Sequence, residues 1–281
     1  MIKKSVKIGR LTGTVIINAC VMFFSLFCIF PFVWMIYSAF KTEQEFALSI
    51  ITLPKKLNWS NFIGAINTGR MGDYAFNSFF NSIIVLVLVV IASFIVAYFL
   101  SRFNFRGRNL IYALFVAAIL IPVHSLMVPL FVQYRNIGML NNRLTLLPVY
   151  FSFGLPISIF LIESFIGSIP IELEEAAIID GSSIVRTMFT IIMPLCRPVL
   201  ATVVILSFMG TWNEFPFALV LIKDNALKTI PVGLRNFQGA YSARYTEFLA
   251  GLTISLLPVI VVYSIFYKKI IVGMTAGTVK G

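Results

Sequence analysis

Five of the eleven Asp and Glu residues fall between positions 163 and 180: Glu163, Glu172, Glu174, Glu175 and Asp180. Grouped carboxylates can hold a divalent cation such as Mg²⁺, or they can present negative charge to a basic surface on another protein. Helical spacing places Glu172, Glu175 and Ile179 on one face, so that face offers only two carboxylates. We therefore expect no metal site here and a charged contact surface instead.

The segment that carries these carboxylates predicts a helix with a defined start and end. Ser168 and Pro170 suit the start, because a hydroxyl caps the first turn and proline is tolerated at the first helical position. Gly181 suits the end, where the backbone often takes a positive φ. Small Ala176 and Ala177 side chains on this helix would let another backbone approach closely.

A second helix is predicted to follow, capped by Ser182 or Ser183 and ended by Pro194. Its apolar residues form one stripe that we expect to lie against a membrane bundle: Ile184, Val185, Met188, Phe189, Ile191 and Ile192. The first helix is then left to face a partner protein. An amphipathic hairpin that lies at the membrane interface without any partner fits the same pattern.

Composition identifies the class of protein that positions these helices. The chain has 281 residues, of which 59% are hydrophobic and 12% are charged. Soluble domains carry about 25% charged residues, so the sequence indicates a polytopic membrane protein. Disordered chains and disulfide scaffolds are excluded by the high apolar content and by only three cysteines. The net charge of +11 is mostly a signal of membrane topology rather than a clustered basic patch on a soluble face, which argues against nucleic acid as a partner.

Long stretches without any charged residue predict six transmembrane helices. A helix needs about 20 mostly apolar residues to cross the hydrocarbon, and lipid offers no partner for unpaired backbone groups. The predicted spans are residues 12–39, 80–101, 110–133, 145–166, 199–222 and 248–267. The first is too long for a secretory signal peptide, so we expect it to remain in the protein.

Basic residues predict the orientation of these spans. Lys and Arg concentrate in three short segments: the N-terminus, Arg102–Arg108 and Lys268–Lys280. Positive charge in short loops marks the cytoplasmic side. Both termini, the loop 167–197 and a C-terminal tail 268–281 are therefore predicted to be cytoplasmic, in a single transmembrane domain that covers residues 1–281.

Glu163 lies close to the end of its predicted span, 145–166. Glu214 is the only acidic residue farther inside a span, where a charge costs about 2–3 kcal/mol. Such residues usually face a bundle interior or an aqueous path. With Trp212 as a stacking surface and Asn213 as a hydrogen-bonding group, it forms a candidate translocation pathway. Hydrogen bonding of Asn213 and Glu214 to neighbouring helices explains the same residues without any solute.

The stretch Glu175-Ala176-Ala177-Ile178-Ile179-Asp180-Gly181, followed by Pro194, resembles the "EAA" motif of permease subunits in binding-protein-dependent ABC importers. Further stretches resemble the maltose-type carbohydrate uptake branch and its MalG-like subunits. These are Pro31–Met35, Phe40–Thr42, Asn81-Ser82, Arg102-Phe103, Gly107-Arg108, Trp212–Phe215, Pro231–Leu234 and Gly273–Gly281. The resemblance covers essentially the whole chain.

This resemblance implies a type I ABC importer permease fold, with six transmembrane helices and a cytoplasmic coupling helix between helices 4 and 5. It implies that coupling to an ATPase is carried by Glu175, Ala176, Ala177, Asp180, Gly181 and Pro194. It also implies that the tail contacts the ATPase, through Gly273, Thr275, Gly277 and Lys280.

The resemblance further implies the partners: a second, homologous permease subunit in a heterodimer, two ATPase subunits, an extracellular sugar-binding protein and membrane lipid of the bacterial plasma membrane. The sequence has no Gly-x-x-x-x-Gly-Lys-Ser/Thr loop for ATP phosphates. We expect no cofactor on this chain, and ATP and Mg²⁺ on the partner ATPase.

Three other functions remain open from the residues alone. The chain could serve an importer for a solute other than a sugar. It could be a membrane-embedded lipid-modifying enzyme that uses the loop carboxylates, or a proton-coupled carrier. The enzyme and the carrier would both act without partner subunits. We expect this chain not to be an enzyme.

Overall fold

The computed structural model describes the backbone of residues 2–237 and 244–276, and the side chains of residues 14–237 and 244–266. It is 77% helical, and the described residues contain no β-strand, which confirms the all-α class. The α-helices in chain order are α1 (Ile2–Ser38), α2 (Glu43–Leu48), α3 (Ser60–Asn67), α4 (Met71–Arg102), α5 (Arg108–Ile119), α6 (Met127–Asn136), α7 (Leu146–Ile166), α8 (Glu172–Ile179), α9 (Ile184–Thr187), α10 (Met193–Leu195), α11 (Arg197–Trp212), α12 (Pro216–Leu221), α13 (Ile230–Leu234) and α14 (Tyr245–Ala276).

Four helical stretches in the described residues are long and apolar enough to cross a membrane: Thr14–Ser38, Met71–Arg102, Leu146–Ile166 and Tyr245–Phe266. Two bent helix pairs pass the same test. Arg108–Ile119 with Val123–Asn136 bends by 91°, and Ile184–Leu195 with Arg197–Trp212 bends by 79°. The number of candidate spans reaches six when each bent pair counts as one.

Two predicted spans differ from the helices in the structure. The predicted span 110–133 is interrupted after Ile119, because Pro122 has no N–H to continue the helical ladder. The predicted span 199–222 stops at Trp212, and the chain re-enters a helix only at Pro216. Proline therefore explains both breaks.

The chain divides into two compact units, and the first comprises Met1–Gly69 and Asn236–Ile254. In its described part, Thr42 and Glu45 form a capping box at the start of α2. Glu43 Oε1 accepts hydrogen bonds from the backbone N–H and the hydroxyl of Thr246, both at 2.8 Å. Asn61 Nδ2 donates to the carbonyls of Ala39 and Lys41 at 2.7 Å. These polar contacts join the short helices α2 and α3 to the ends of α1 and α14.

Lys41 is a buried cation in the first unit, with no exposed surface. Its ammonium donates to the carbonyls of Ser49 and Ile50 at 3.0 and 2.9 Å, and it lies 5.3 Å from the ring centre of Tyr37. Burial lowers the pKa of Lys41, and the charge of Glu45 partly offsets this. Carbonyl and aromatic contacts therefore take the place of water around this charge.

The second unit, Arg70–Arg235 with Ser255–Gly281, is built around α4. Helix α4 packs against α7, α11 and α13. Val85 and Val89 on α4 and Ile159 and Ile162 on α7 are almost fully buried in one apolar core. In lipid, helices associate through packing and interhelical hydrogen bonds rather than through the hydrophobic effect. Close packing in this core therefore accounts for the contact between α4 and α7.

Polar side chains on α4 also hold the loop that leads into α13. Asn77 Nδ2 donates to the carbonyls of Ala226 and Lys228, and the Ser78 hydroxyl accepts from the Ile230 N–H at 2.9 Å. Each bond satisfies a backbone group of the loop that would otherwise lack a partner. The loop before α13 is thus fixed directly on α4.

Gly233 in α13 lies directly against the ring of Tyr74. A Cβ at position 233 would sit 2.0 Å from Cδ2 of that ring, whereas a Cβ at Gly210 in α11 would meet no atom within 4 Å. We expect Gly233→Ala to destabilise the protein by about 1–3 kcal/mol, the usual cost of overpacking. Thermal unfolding of the detergent-purified protein measures this, with Gly210→Ala as the matched control that keeps its transition temperature. Equal transition temperatures for the two variants would show that the ring moves aside without loss.

Candidate functional site

Helix α8 ends at Ile179, and Gly181 forms the turn that stops it, as the sequence predicts. Gly181 has φ +83°, and its N–H bonds to the Ile178 carbonyl while the Ser182 N–H bonds to the Ala177 carbonyl. This pair of bonds is the Schellman motif, which needs a left-handed residue after the helix. A glycine at position 181 therefore sets where α8 stops and where the chain turns towards α9.

The start of α8 differs from the prediction. The Ser168 hydroxyl donates to the Phe165 carbonyl at 2.7 Å, so it completes the last turn of α7 and caps nothing. Helix α8 begins at Glu172, after Ile171, with no side-chain cap. The predicted Ser168–Pro170 start is wrong because the serine already bonds to the helix before it.

The two alanines of α8 point in different directions. Ala177 is 7% exposed and packs within the chain, as does Glu174 at 6%. Ala176, Glu172, Glu175 and Asp180 are exposed. Of these two alanines, only Ala176 is exposed and can contact another protein.

Glu174 is held by the end of α4. Tyr98 Oη donates to Glu174 Oε2 at 2.7 Å, and Arg102 Nε forms an ion pair with Glu174 Oε1 at 2.5 Å. Arg102 Nη2 also donates to the Ile169 carbonyl at 2.9 Å. Nearby, Arg108 and Glu163 approach to 3.8 Å. The segment before α8 and α8 itself are therefore bonded to α4.

The second helix of the pair runs over residues 184–195 and contains a π-helical turn, Met188–Ile192. Ser183 caps it, as one of the two predicted serines, by accepting the Arg186 N–H. Pro194 does not end it, because the helix continues to Leu195. In the π turn the Met193 N–H reaches back five residues to the Met188 carbonyl. The next residue, Pro194, has no N–H to donate. The wider π turn therefore occurs where the α-helical hydrogen-bond pattern is interrupted.

The apolar side chains of this helix differ in burial. Met188 and Ile192 are buried with Thr187, whereas Ile184 and Val185 are 45% and 62% exposed. The predicted single apolar stripe is therefore only partly buried. Four apolar residues around the turn at Gly181 form an exposed group that we call the turn patch: Ile178, Ile179, Ile184 and Val185.

Glu214 lies in the break between α11 and α12, where it serves as a hydrogen-bond acceptor. Its carboxylate accepts the N–H groups of Phe217 and Ala218 at 2.7 and 3.0 Å, and the hydroxyl of Tyr150 at 2.6 Å. Proline at position 216 interrupts the helix, and Glu214 satisfies the donors that the break leaves. The structure thus favours the hydrogen-bonding interpretation of this residue.

Trp212 does not offer the stacking surface expected of it. The side chain is 2% exposed, its ring lies against Phe208 and Phe79, and its Nε1 donates to the Ser255 carbonyl at 3.2 Å. Asn213 is exposed, and its amide donates to the Met209 carbonyl of the preceding turn. Trp212 is therefore a core residue of the second unit.

A cavity of about 250 Å³ opens beside the break, and its walls are mostly apolar. Its polar lining includes His124, Tyr150, Thr211 and Glu214. The His124 ring lies 6.3 Å from that of Phe217. Neither His124 nor Tyr150 stands out in the sequence as a neighbour of Glu214, because the three residues come together only through the fold.

No three His, Cys, Asp or Glu side chains in the described part of the chain are grouped so that they could hold a metal ion. Gly277 and Lys280, expected to contact an ATPase, lie outside the described residues. Gly273 and Thr275 belong to the last turns of α14, whose side chains are not described.

Residues 90–274 match the family described as "Binding-protein-dependent transport system inner membrane component". This range contains α8, Gly181 and the break at Glu214. The chain belongs to this family. It is therefore an inner-membrane permease of a binding-protein-dependent ABC importer, and the family consists of transport components rather than enzymes, which rules out the lipid-modifying alternative.

Several relatives align with the permease over nearly its full length. A putative ABC transporter permease protein, ORF2, of Caldicellulosiruptor is 40% identical and aligns over 89% of this chain and 91% of its own. The diacetylchitobiose uptake system permease protein NgcG of Streptomyces coelicolor is 34% identical, over 93% and 87%. The trehalose/maltose transport system permease protein MalG of Thermococcus litoralis is also 34% identical, over 95% and 96%.

The fold is that of a solved importer. A crystal structure of a bacterial ABC transporter that imports the acidic polysaccharide alginate superposes with a TM-score of 0.80 at 23% identity. The match covers 92% of the permease and 96% of that chain. The predicted ABC importer permease fold is confirmed.

The role of Glu214 can be tested by removing its carboxylate. Glu214→Ala leaves the Phe217 and Ala218 N–H groups and the Tyr150 hydroxyl without their acceptor. We expect a loss of about 1–3 kcal/mol for each donor that finds no new partner, measured as a lower unfolding temperature of the purified permease. Asn213→Ala is the control and should unfold as the wild type does. A stable Glu214→Ala permease that fails only in transport would instead favour the pathway interpretation.

Proposed function

We propose that this permease is one of two membrane-spanning subunits of an ATP-driven importer that takes up a sugar or oligosaccharide. An extracellular binding protein delivers the solute, and two ATPase subunits on the opposite side supply the energy. The partner permease is a homologous chain in a heterodimer. ATP and Mg²⁺ bind to the ATPase subunits, and this chain undergoes alternating access.

The geometry of α8 is the observation that carries the coupling role. Glu172, Glu175, Ala176 and Asp180 are exposed on a short helix that ends in a fixed turn at Gly181. The turn patch adds exposed apolar surface next to these charges. A small polar face bordered by apolar side chains is suited to a protein groove, since buried apolar area provides affinity and charges provide register.

The turn patch also bears on the alternative of a hairpin at the membrane interface. Ile179 is 85% exposed and lies one residue from the charged Asp180 and two from Gly181. The exposed acidic residues of the same helix would face the anionic surface of a bacterial membrane, which repels carboxylates. A protein groove with basic residues suits this mixture of groups better than lipid does.

Orientation follows from the basic residues. We propose that both termini, the segment Arg102–Arg108 and the α8–α10 loop face the cytoplasm, because Lys and Arg concentrate in the short segments on that side. The C-terminal tail then lies on the same side as the ATPase subunits, where it would add a second contact.

The sugar class is supported by the relatives. NgcG and MalG carry the names of uptake systems for diacetylchitobiose and for trehalose/maltose. Both align over almost the whole permease. A mostly apolar cavity with a few polar groups beside Glu214 leaves room for a solute path that this subunit shares with its partner permease.

The proposal is tested by rebuilding the complex in proteoliposomes from the permease, its partner permease, the ATPase subunits and the binding protein. We expect uptake of a radiolabelled oligosaccharide that requires both ATP and the binding protein. Candidate oligosaccharides are first screened for binding to the binding protein. Uptake by the permease alone, or uptake independent of ATP, would contradict the proposal.

Ala176 allows docking to be tested without disturbing the core. Ala176→Leu adds bulk to the exposed face of α8, and it should reduce co-purification of the ATPase and solute uptake about tenfold, as expected for a loss of about 1.4 kcal/mol in binding. Ala113→Leu, at an exposed position of α5, is the control and should retain both activities.

Gly181→Pro should abolish uptake while the protein still inserts into the membrane. Normal uptake by either variant of the α8 segment would argue against docking through this helix.

A further inference from the structure

Glu174 differs from the other glutamates in the first turn of α8. Its side chain is 8% exposed, and that of its ion-pair partner Arg102 is 9% exposed. Glu172 and Glu175 are exposed, and neither forms an ion pair within the described part of the chain. Three glutamates within four residues thus have two different surroundings.

Both oxygens of the Glu174 carboxylate are bonded to one helix. Arg102 Nε donates to Oε1 and Tyr98 Oη donates to Oε2, and residues 98 and 102 are one turn apart on α4. Arg102 uses a second nitrogen to hold the Ile169 carbonyl just before α8. One arginine therefore fixes both the approach to α8 and its first turn.

These bonds constrain the orientation of α8 relative to α4 as well as the distance between the two helices. Hydrogen bonds between charged groups are shorter and stronger than neutral ones, and a guanidinium with two carbonyl or carboxylate partners has a defined orientation. Removing one member of a buried ion pair leaves the other charge without a partner. Helix α8 has only eight residues, most of them exposed, so few other contacts could hold its angle.

We propose that Glu174 is a positioning residue, which through Arg102 and Tyr98 makes α8 move together with α4 as one rigid body. The proposal rests on the proposed coupling of α8 to an ATPase. A force applied at the exposed face of α8 then reaches α4, the helix around which the second unit is built, without loss in a flexible joint. Glu172, Glu175 and Asp180 remain available for the partner.

The test compares Glu174→Gln with Asp73→Asn, which removes the carboxylate of the exposed ion pair with Arg70 at the other end of α4. Tyr98→Phe is a milder second variant, because it removes one hydrogen bond and keeps the ion pair. Each permease is assembled with its partner subunits in lipid nanodiscs. Amide hydrogen exchange is measured over residues 172–182 and over α4, without nucleotide and after trapping with Mg-ATP and vanadate.

We expect the α8 amides of Glu174→Gln to exchange about tenfold faster than those of the wild type, as local opening becomes easier. Asp73→Asn should match the wild type, and Tyr98→Phe should lie between. In the wild type and Asp73→Asn, vanadate trapping should change exchange in α4. In Glu174→Gln this response should be lost, although the ATPase still co-purifies and hydrolyses ATP.

Two results would overturn the positioning role: equal exchange of α8 in Glu174→Gln and Asp73→Asn, or a normal response of α4 to vanadate in Glu174→Gln. If Glu174→Gln does not assemble, wild-type exchange and a wild-type response in Tyr98→Phe would count against the role. A failure of the proposed function is seen separately, because then no ATPase co-purifies even with the wild-type permease.

Discussion

Polar groups inside an apolar bundle have to find their partners within the protein, and this constraint shapes the permease at every scale. Lipid cannot replace water as a hydrogen-bond partner, so each break in a helix needs a side chain that accepts or donates. Glu214 accepts two backbone N–H groups at the break before α12. Asn77 and Ser78 serve the loop before α13 in the same way. At these two sites a polar side chain from the same unit bonds to the irregular backbone.

The same constraint separates two uses of carboxylates in this protein. The buried carboxylate of Glu174 and the half-buried carboxylate of Glu214 accept hydrogen bonds from donors of the chain itself. Exposed ones on α8 are left for water or for another protein. An acidic residue in the sequence can therefore be a structural hydrogen-bond acceptor or a contact residue for another protein. Its surroundings in the folded protein decide which of the two it is.

This explains how far the sequence could be interpreted alone. Charge-free stretches predicted the helical membrane class, and the turn at Gly181 was predicted because glycine at a helix end has a local cause. The rotation of α8 against α4 decides which glutamate turns inward among Glu172, Glu174 and Glu175. No local sequence pattern predicts this rotation. In the sequence Arg102 stands out as a topology signal and as part of a family resemblance, and neither of these identifies Glu174 as its partner. The π turn near Pro194 and the role of Tyr150 likewise arise from tertiary packing.

Adjacent alanines on α8 face two different neighbours, and this has a consequence for how the two positions can change over time. Ala177 abuts residues of its own polypeptide, so tolerated replacements there depend on compensating changes within one gene. Ala176 is open on the outside, and under the proposed assembly its neighbours are encoded by another gene. Across related importers, the residue at position 176 should therefore co-vary with residues of the ATPase subunit. The residue at position 177 should co-vary with other residues of the permease.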